Sequence, residues 1–139
     1  MRVSCNDKQW MLHVSDGESW RVTMNIDAGV AAVVYACLDL IGRGKEELLE
    51  DWADSFRGDI DSVVSEIRSY PAAFRSPRAG DEAGWSVWQL PDDCCPLPTW
   101  GVAARLPQAD GGLSDLAVRM EVVDRGDRFE VHFCDVLVE

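Results

Sequence analysis

The chain has 139 residues and a mass of 15.4 kDa, room for one domain and too short for two ordinary ones. Apolar residues make up 47% and charged residues 27%, so the chain can bury a core without metal or disulfides and is not composed like a disordered one. The formal net charge is −12, and a surface this acidic repels phosphate backbones and anionic headgroups, which argues against nucleic acid and membrane surfaces as partners.

Residues 1–10 are polar, unlike a secretory signal. Residues 9–25 read as a β-hairpin: Trp10, Leu12 and Val14 alternate, Ser15-Asp16-Gly17-Glu18 supplies turn chemistry, and Trp20, Val22 and Met24 alternate again. Asp27 is a helix N-cap, because its carboxylate can accept from the free N–H groups one turn on. Val30, Val33, Val34, Cys37, Leu38 and Ile41 then follow helical spacing up to Gly42 and Gly44. This helix is apolar around most of its girth and should sit centrally. Its run Val30–Ala36 is nonetheless far short of the ~20 residues that span a bilayer.

A second helix is expected from Lys45, with Leu48, Leu49, Trp52 and Phe56 as one stripe, broken at Gly58. A third, capped by Asp59, carries Ile60, Val63, Val64 and Ile67 and stops at Pro71. Residues 71–84 read as loop. Strands are expected at Trp85–Leu90 and Thr99–Leu106, joined by a segment too rich in proline for helix. The last hairpin is the plainest pattern in the chain. Leu116, Val118, Met120 and Val122 alternate with polar or small residues, Asp124-Arg125-Gly126-Asp127 turns, and Phe129, Val131 and Phe133 face one way. Val136-Leu137-Val138 lacks alternation and predicts a sheet end covered on both sides. These elements predict a single α+β domain over residues 1–139, an antiparallel β-sheet with two to three helices packed on one face.

Catalytic signatures are sparse, which predicts a protein that is not an enzyme. The histidines, His13 and His132, both fall on expected strands, and no Gly-x-Ser-x-Gly elbow, phosphate loop or His-Glu-x-x-His is present. Cys5, Cys37, Cys94, Cys95 and Cys134 are odd in number and irregular in spacing. They fit reduced thiols in the cytoplasm better than a zinc site or a disulfide framework, with Cys37 and Cys134 buried. No metal and no cofactor is expected. Asp135 interrupts the inward series of its strand, so by pleat parity it faces the core side and needs a β-bulge, an Arg or a pocket. Together with His132 it marks a candidate pocket between sheet and helices. Trp85 and Trp88 are three apart on one strand and cannot both face inward; one of them is a candidate interface anchor.

The charge is uneven. Residues 45–68 hold eight carboxylates against three basic groups, and residues 109–139 repeat that ratio. Glu46, Glu47, Glu50, Asp51 and Asp54 recur at spacings that stack several along one helical side, a candidate landing surface for a basic partner.

The tail Ser114–Val122, Phe129–Phe133 and Asp135–Val138 resembles an uncharacterised bacterial domain family with a Ser-Asp-Leu strand, a turn and a short strand opening on Asp. As a small, acidic, reduced α+β chain, the protein is similar to the immunity proteins of bacterial polymorphic-toxin and contact-dependent growth inhibition systems. That resemblance implies a non-enzymatic inhibitor covering a cognate basic toxin, for example a nuclease. The alternative is a small ligand-binding or enzymatic domain with a cavity under a curved sheet.

Overall fold

The computed structural model describes residues 27–91, 93 and 95–138. The expected hairpin at 9–25, with Trp10, His13 and Trp20, lies outside them, as do Cys5 and Cys94.

Helix α1 spans Ala28–Gly42 and starts as the sequence predicts, with Asp27 Oδ1 accepting from Gly29 N at 2.7 Å and Val30 N at 3.3 Å. Val30, Val34, Cys37, Leu38 and Ile41 are buried, one side of a 3.6-residue repeat. The expected second helix does not form as one piece. A 3₁₀ turn at Glu46–Leu48 leads into a single α turn, α2, at Leu49–Trp52. At Ala53 the backbone goes extended, because Asp54 N donates to the Val131 carbonyl at 2.8 Å and Arg57 N to that of Phe133 at 2.9 Å. Residues Ser55–Phe56 thereby become strand β1, and the Phe56 ring stacks on Phe133 at 4.8 Å between centroids. Leu48 leaves the expected stripe and is exposed.

Helix α3, Ile60–Arg68, buries Val63 and Ile67 and ends ahead of Pro71. Asp59 stands at its N-cap position but accepts from the Ser62 hydroxyl at 3.0 Å rather than from backbone. The loop that follows is pinned: Arg75 reaches Asp81 through two nitrogens, at 2.9 and 3.1 Å, and Asp81 also accepts from Arg78 N.

Strands β2 (Trp85–Gln89), β3 (Thr99–Pro107), β4 (Leu113–Asp124) and β5 (Phe129–Val138) complete a five-stranded sheet ordered β1-β5-β4-β3-β2. The four long strands are antiparallel, but β1 runs parallel to β5, so the sheet is mixed rather than purely antiparallel. One face carries Trp100, Val102, Ala104, Val118, Met120, Val122, Val131 and Phe133 into a shared core with α1 and α3. The architecture is α+β. Among the described residues, no helix is long and apolar enough to cross a membrane.

Two expectations for β5 change. Arg119 pairs with Asp135 and Met120 with Phe133, so Cys134 is the extra residue of a β-bulge. That bulge leaves Cys134 only half-buried, where full burial was expected, and returns Val136 to the core face. Leu137 and Val138 are exposed, so this end of the sheet is not covered on both sides.

Candidate functional site

The five carboxylates expected to form one ridge divide into three kinds. Glu46 is turned inward and buried, and its Oε2 accepts from Arg68 Nε at 2.6 Å. The same guanidinium reaches Glu47 at 3.0 Å, so one cation from α3 clamps two acids of the 3₁₀ turn. Asp54 is also engaged, its Oδ2 accepting from Val131 N at 2.7 Å and its Oδ1 lying 3.4 Å from Arg128 Nη1. Glu50 and Asp51 remain exposed on α2 with no ion pair among the described residues. Asp61 and Glu66 on α3 extend this unpaired set, and the sequence ridge did not include them. The signal that could have found them is the i, i+3, i+4 pattern of α3, which places Val63 and Ile67 inside and these two outside.

The tryptophans separate as pleat geometry requires. Trp85 is buried, edge-on to Tyr35 at 5.1 Å, so of the two tryptophans it is the one that faces inward. Burial, followed by the bond the Tyr35 hydroxyl donates to Glu82, pushes the Tyr35 phenol well above its ordinary value. Trp88 is 48% exposed and lies flat over Gly101, where a Cβ would run into its ring. It belongs to the sheet face away from the helices, on β2, at the opposite edge from β1 and α2. Trp88 and the α2 carboxylates therefore cannot form one compact patch. A shallow cavity of about 280 Å³ beside Trp88 is lined by Arg57, Leu90, Arg119, Glu121 and Cys134 among others.

His132 and Asp135 also lie on this outer face, not between sheet and helices. Asp135 meets Arg119 through two bonds, at 2.7 and 2.8 Å, and that contact holds its carboxyl below the usual range. The bulge and the arginine together resolve the parity conflict read from the sequence. The His132 Nδ1 is 2.6 Å from Ser55 Oγ, its register partner on β1, and its Nε2 is 3.2 Å from Glu130. Arg125 donates to Glu130 and holds that carboxyl below its ordinary value. Hydroxyl, imidazole and carboxylate in series are the elements of a proton relay, although here the hydroxyl faces Nδ1 rather than Nε2. The relay also works as a clamp, since it bonds the two-residue edge strand β1 to β5.

Cys37 is wholly buried, and burial pushes its thiol well above its usual value; burial also raises that of Cys134. Neither is an activated thiolate. Among the described residues, no three His, Cys, Asp or Glu side chains converge to hold a metal ion.

No family model, no curated protein and no solved structure matches this chain.

Proposed function

We propose that this protein is a non-enzymatic acidic binding protein, an immunity protein that neutralises a cognate basic toxin domain, such as a nuclease, by covering its cationic surface. The observation that carries this reading is the set of exposed carboxylates on the helical layer, Glu50, Asp51, Asp61 and Glu66, that make no ion pair among the described residues of a chain of net charge −12. A nuclease must present cations to phosphates, and fixed protein carboxylates compete for them without being substrates. The thiols fit action in the cytoplasm, where they stay reduced.

The test is co-expression with the toxin domain encoded by a neighbouring gene. The protein should rescue growth and co-purify with that domain in a complex that salt weakens. Growth arrest that the protein does not relieve would overturn the reading.

A second reading, a small hydrolase, is favoured by Ser55, His132 and Glu130 alone. A fluorophosphonate probe separates the two. Labelling at Ser55 that Ser55→Ala abolishes would support hydrolysis, whereas an unlabelled protein whose Ser55→Ala variant still rescues growth keeps the trio as a strand clamp.

A further inference from the structure

Helix α1 is apolar on two sides. Val30, Val34 and Cys37 are buried inward, while Ala32 and Ala36 are exposed outward. The outward side, with Trp52 of α2 and Phe129 of β5, bounds a groove of about 470 Å³. The charges that line it are one mutually paired acid and base, Asp54 and Arg128, 3.4 Å apart. The groove therefore offers no net charge to an occupant.

At the Gly29 end of the groove stands a buried group that is only half satisfied. Asp27 is 3% exposed. Its Oδ1 caps α1 through Gly29 N and Val30 N, whereas its Oδ2 is buried with no hydrogen-bond partner among the described residues. A Cβ on Gly29 would run into the Phe129 ring and lie 3.1 Å from Asp27 Oδ1, so ring and carboxylate flank the same point. A carboxylate oxygen taken out of water needs a donor.

Residues 1–26 lead directly into this point. Trp20, Val22 and Met24 alternate there with polar residues, a pattern that asks for one covered side. Residues 1–26 hold three basic and three acidic side chains, so the whole net charge of −12 belongs to residues 27–139. A segment of no net charge matches a groove of no net charge. Reach agrees as well. Met24 precedes Asp27 by three residues and Trp20 by seven, roughly 10 and 23 Å of extended chain. Gly29 to Ala36 takes roughly 11 Å of helix. The chain is thus long enough to turn at Asn25 and run back along the groove, and its Trp20 indole, Thr23 hydroxyl and Asn25 amide are donors.

We propose that the occupant of this groove is the chain's own segment Trp20–Met24. Trp20, Val22 and Met24 lie against Ala32, Ala36 and Phe129, and the segment supplies the donor that Asp27 Oδ2 lacks. The proposal is independent of toxin binding, because Glu50, Asp51, Asp61 and Glu66 do not line the groove.

Nuclear Overhauser contacts in the isotope-labelled full chain test this without any substitution. The Val22 and Met24 methyls should show contacts to those of Ala32 and Ala36 within one molecule. Amide exchange across Trp20–Met24 should be slowed about tenfold or more relative to a free peptide of that sequence. Ala36→Arg, at an exposed helical position, should abolish that protection and leave the β3–β4 ladder protected. Should Ala36→Arg unfold the chain, the contacts in the parent protein decide alone. Contacts from Val22 and Met24 to Trp88 or Gly101 would put the segment on the outer face of the sheet and overturn the proposal. A segment with no long-range contacts, exchanging as fast as the free peptide, would leave the groove open and overturn it too. Contacts that arise only between labelled and unlabelled molecules in a mixed sample would give the groove to a second copy, with the same consequence.

Discussion

Residues 45–68 and 109–139 contain the same charges, eight carboxylates against three basic groups, and the fold treats them in opposite ways. On the sheet side the acids are used locally. Asp135 takes Arg119, Glu130 takes Arg125, Asp110 accepts from Gly112 N, and Asp124 accepts from Gly126 N. The helical segment gives up Arg57 to Glu121 across the sheet, and Arg68 is spent on Glu46 and Glu47. Among the described residues, only Asp54 gains a cation in return, from Arg128. The helical layer is therefore left, among the described residues, with unpaired negative charge that the tally alone could not locate. Counting charges along a sequence measures supply; the fold decides which of them are already consumed.

The largest effect should come from the seam between the two regions. Phe133 is fully buried on β5 and stacks on Phe56, the residue that brings the acidic segment onto the sheet. Phe133→Ala should cost about 3–5 kcal/mol by chemical denaturation. Hydrogen exchange should show Asp54 and Arg57 losing protection before the β3–β4 ladder does. Uniform loss across the sheet would mean that β1 is not a separable unit.

The next contrast is kinetic. Replacing Glu50 and Glu66 with Gln, and Asp51 and Asp61 with Asn, removes four charges that make no ion pair among the described residues. Association with a basic toxin domain should slow about tenfold at low salt, with a shallower dependence on ionic strength. The melting temperature should hold or rise slightly as repulsion along the helical layer is relieved. An unchanged rate in stopped-flow mixing would remove this surface from the encounter.

The smallest effect tests the paired side. Arg119→Gln breaks a half-exposed ion pair and should cost about 0.2–1 kcal/mol at pH 7. Asp135 has its carboxyl lowered by Arg119, and Glu130 by Arg125. For Asp81, burial pulls the other way, but the Arg75 bond and Arg78 N–H outweigh it and the value also falls. Each such carboxyl binds protons less readily folded than unfolded. Its stabilisation is present above the unfolded value near pH 4 and is lost as pH falls toward the folded one. Denaturation midpoints measured from pH 7 to pH 3 should therefore fall, less steeply in Arg119→Gln. Identical slopes would mean that this pair contributes nothing to acid sensitivity.

Local periodicity made α1, α3 and the β4–β5 hairpin legible, because each carries its own repeat for eight residues or more. Ser55–Phe56 has no period to read. It is a strand only because Val131 and Phe133 offer carbonyls to Asp54 and Arg57, a pairing from more than seventy residues away. The interrupted second helix follows from the same contact. Pleat parity correctly marked Asp135 as a problem, but the Cys134 bulge that helps resolve it depends on how β4 and β5 register.

By itself, then, the sequence determined the class of elements, the inward side of each long one, and the excess of negative charge. The tertiary structure alone decided which carboxylates are spent, that Trp88 is outside and Trp85 inside, and that Trp52 and Phe129 meet α1 to form a groove. The physical reason is range. Hydrophobic periodicity acts between residues three or four apart in a helix and two apart in a strand, so the chain writes it locally. An ion pair or a groove is made by side chains distant in sequence, and no single segment carries its signature.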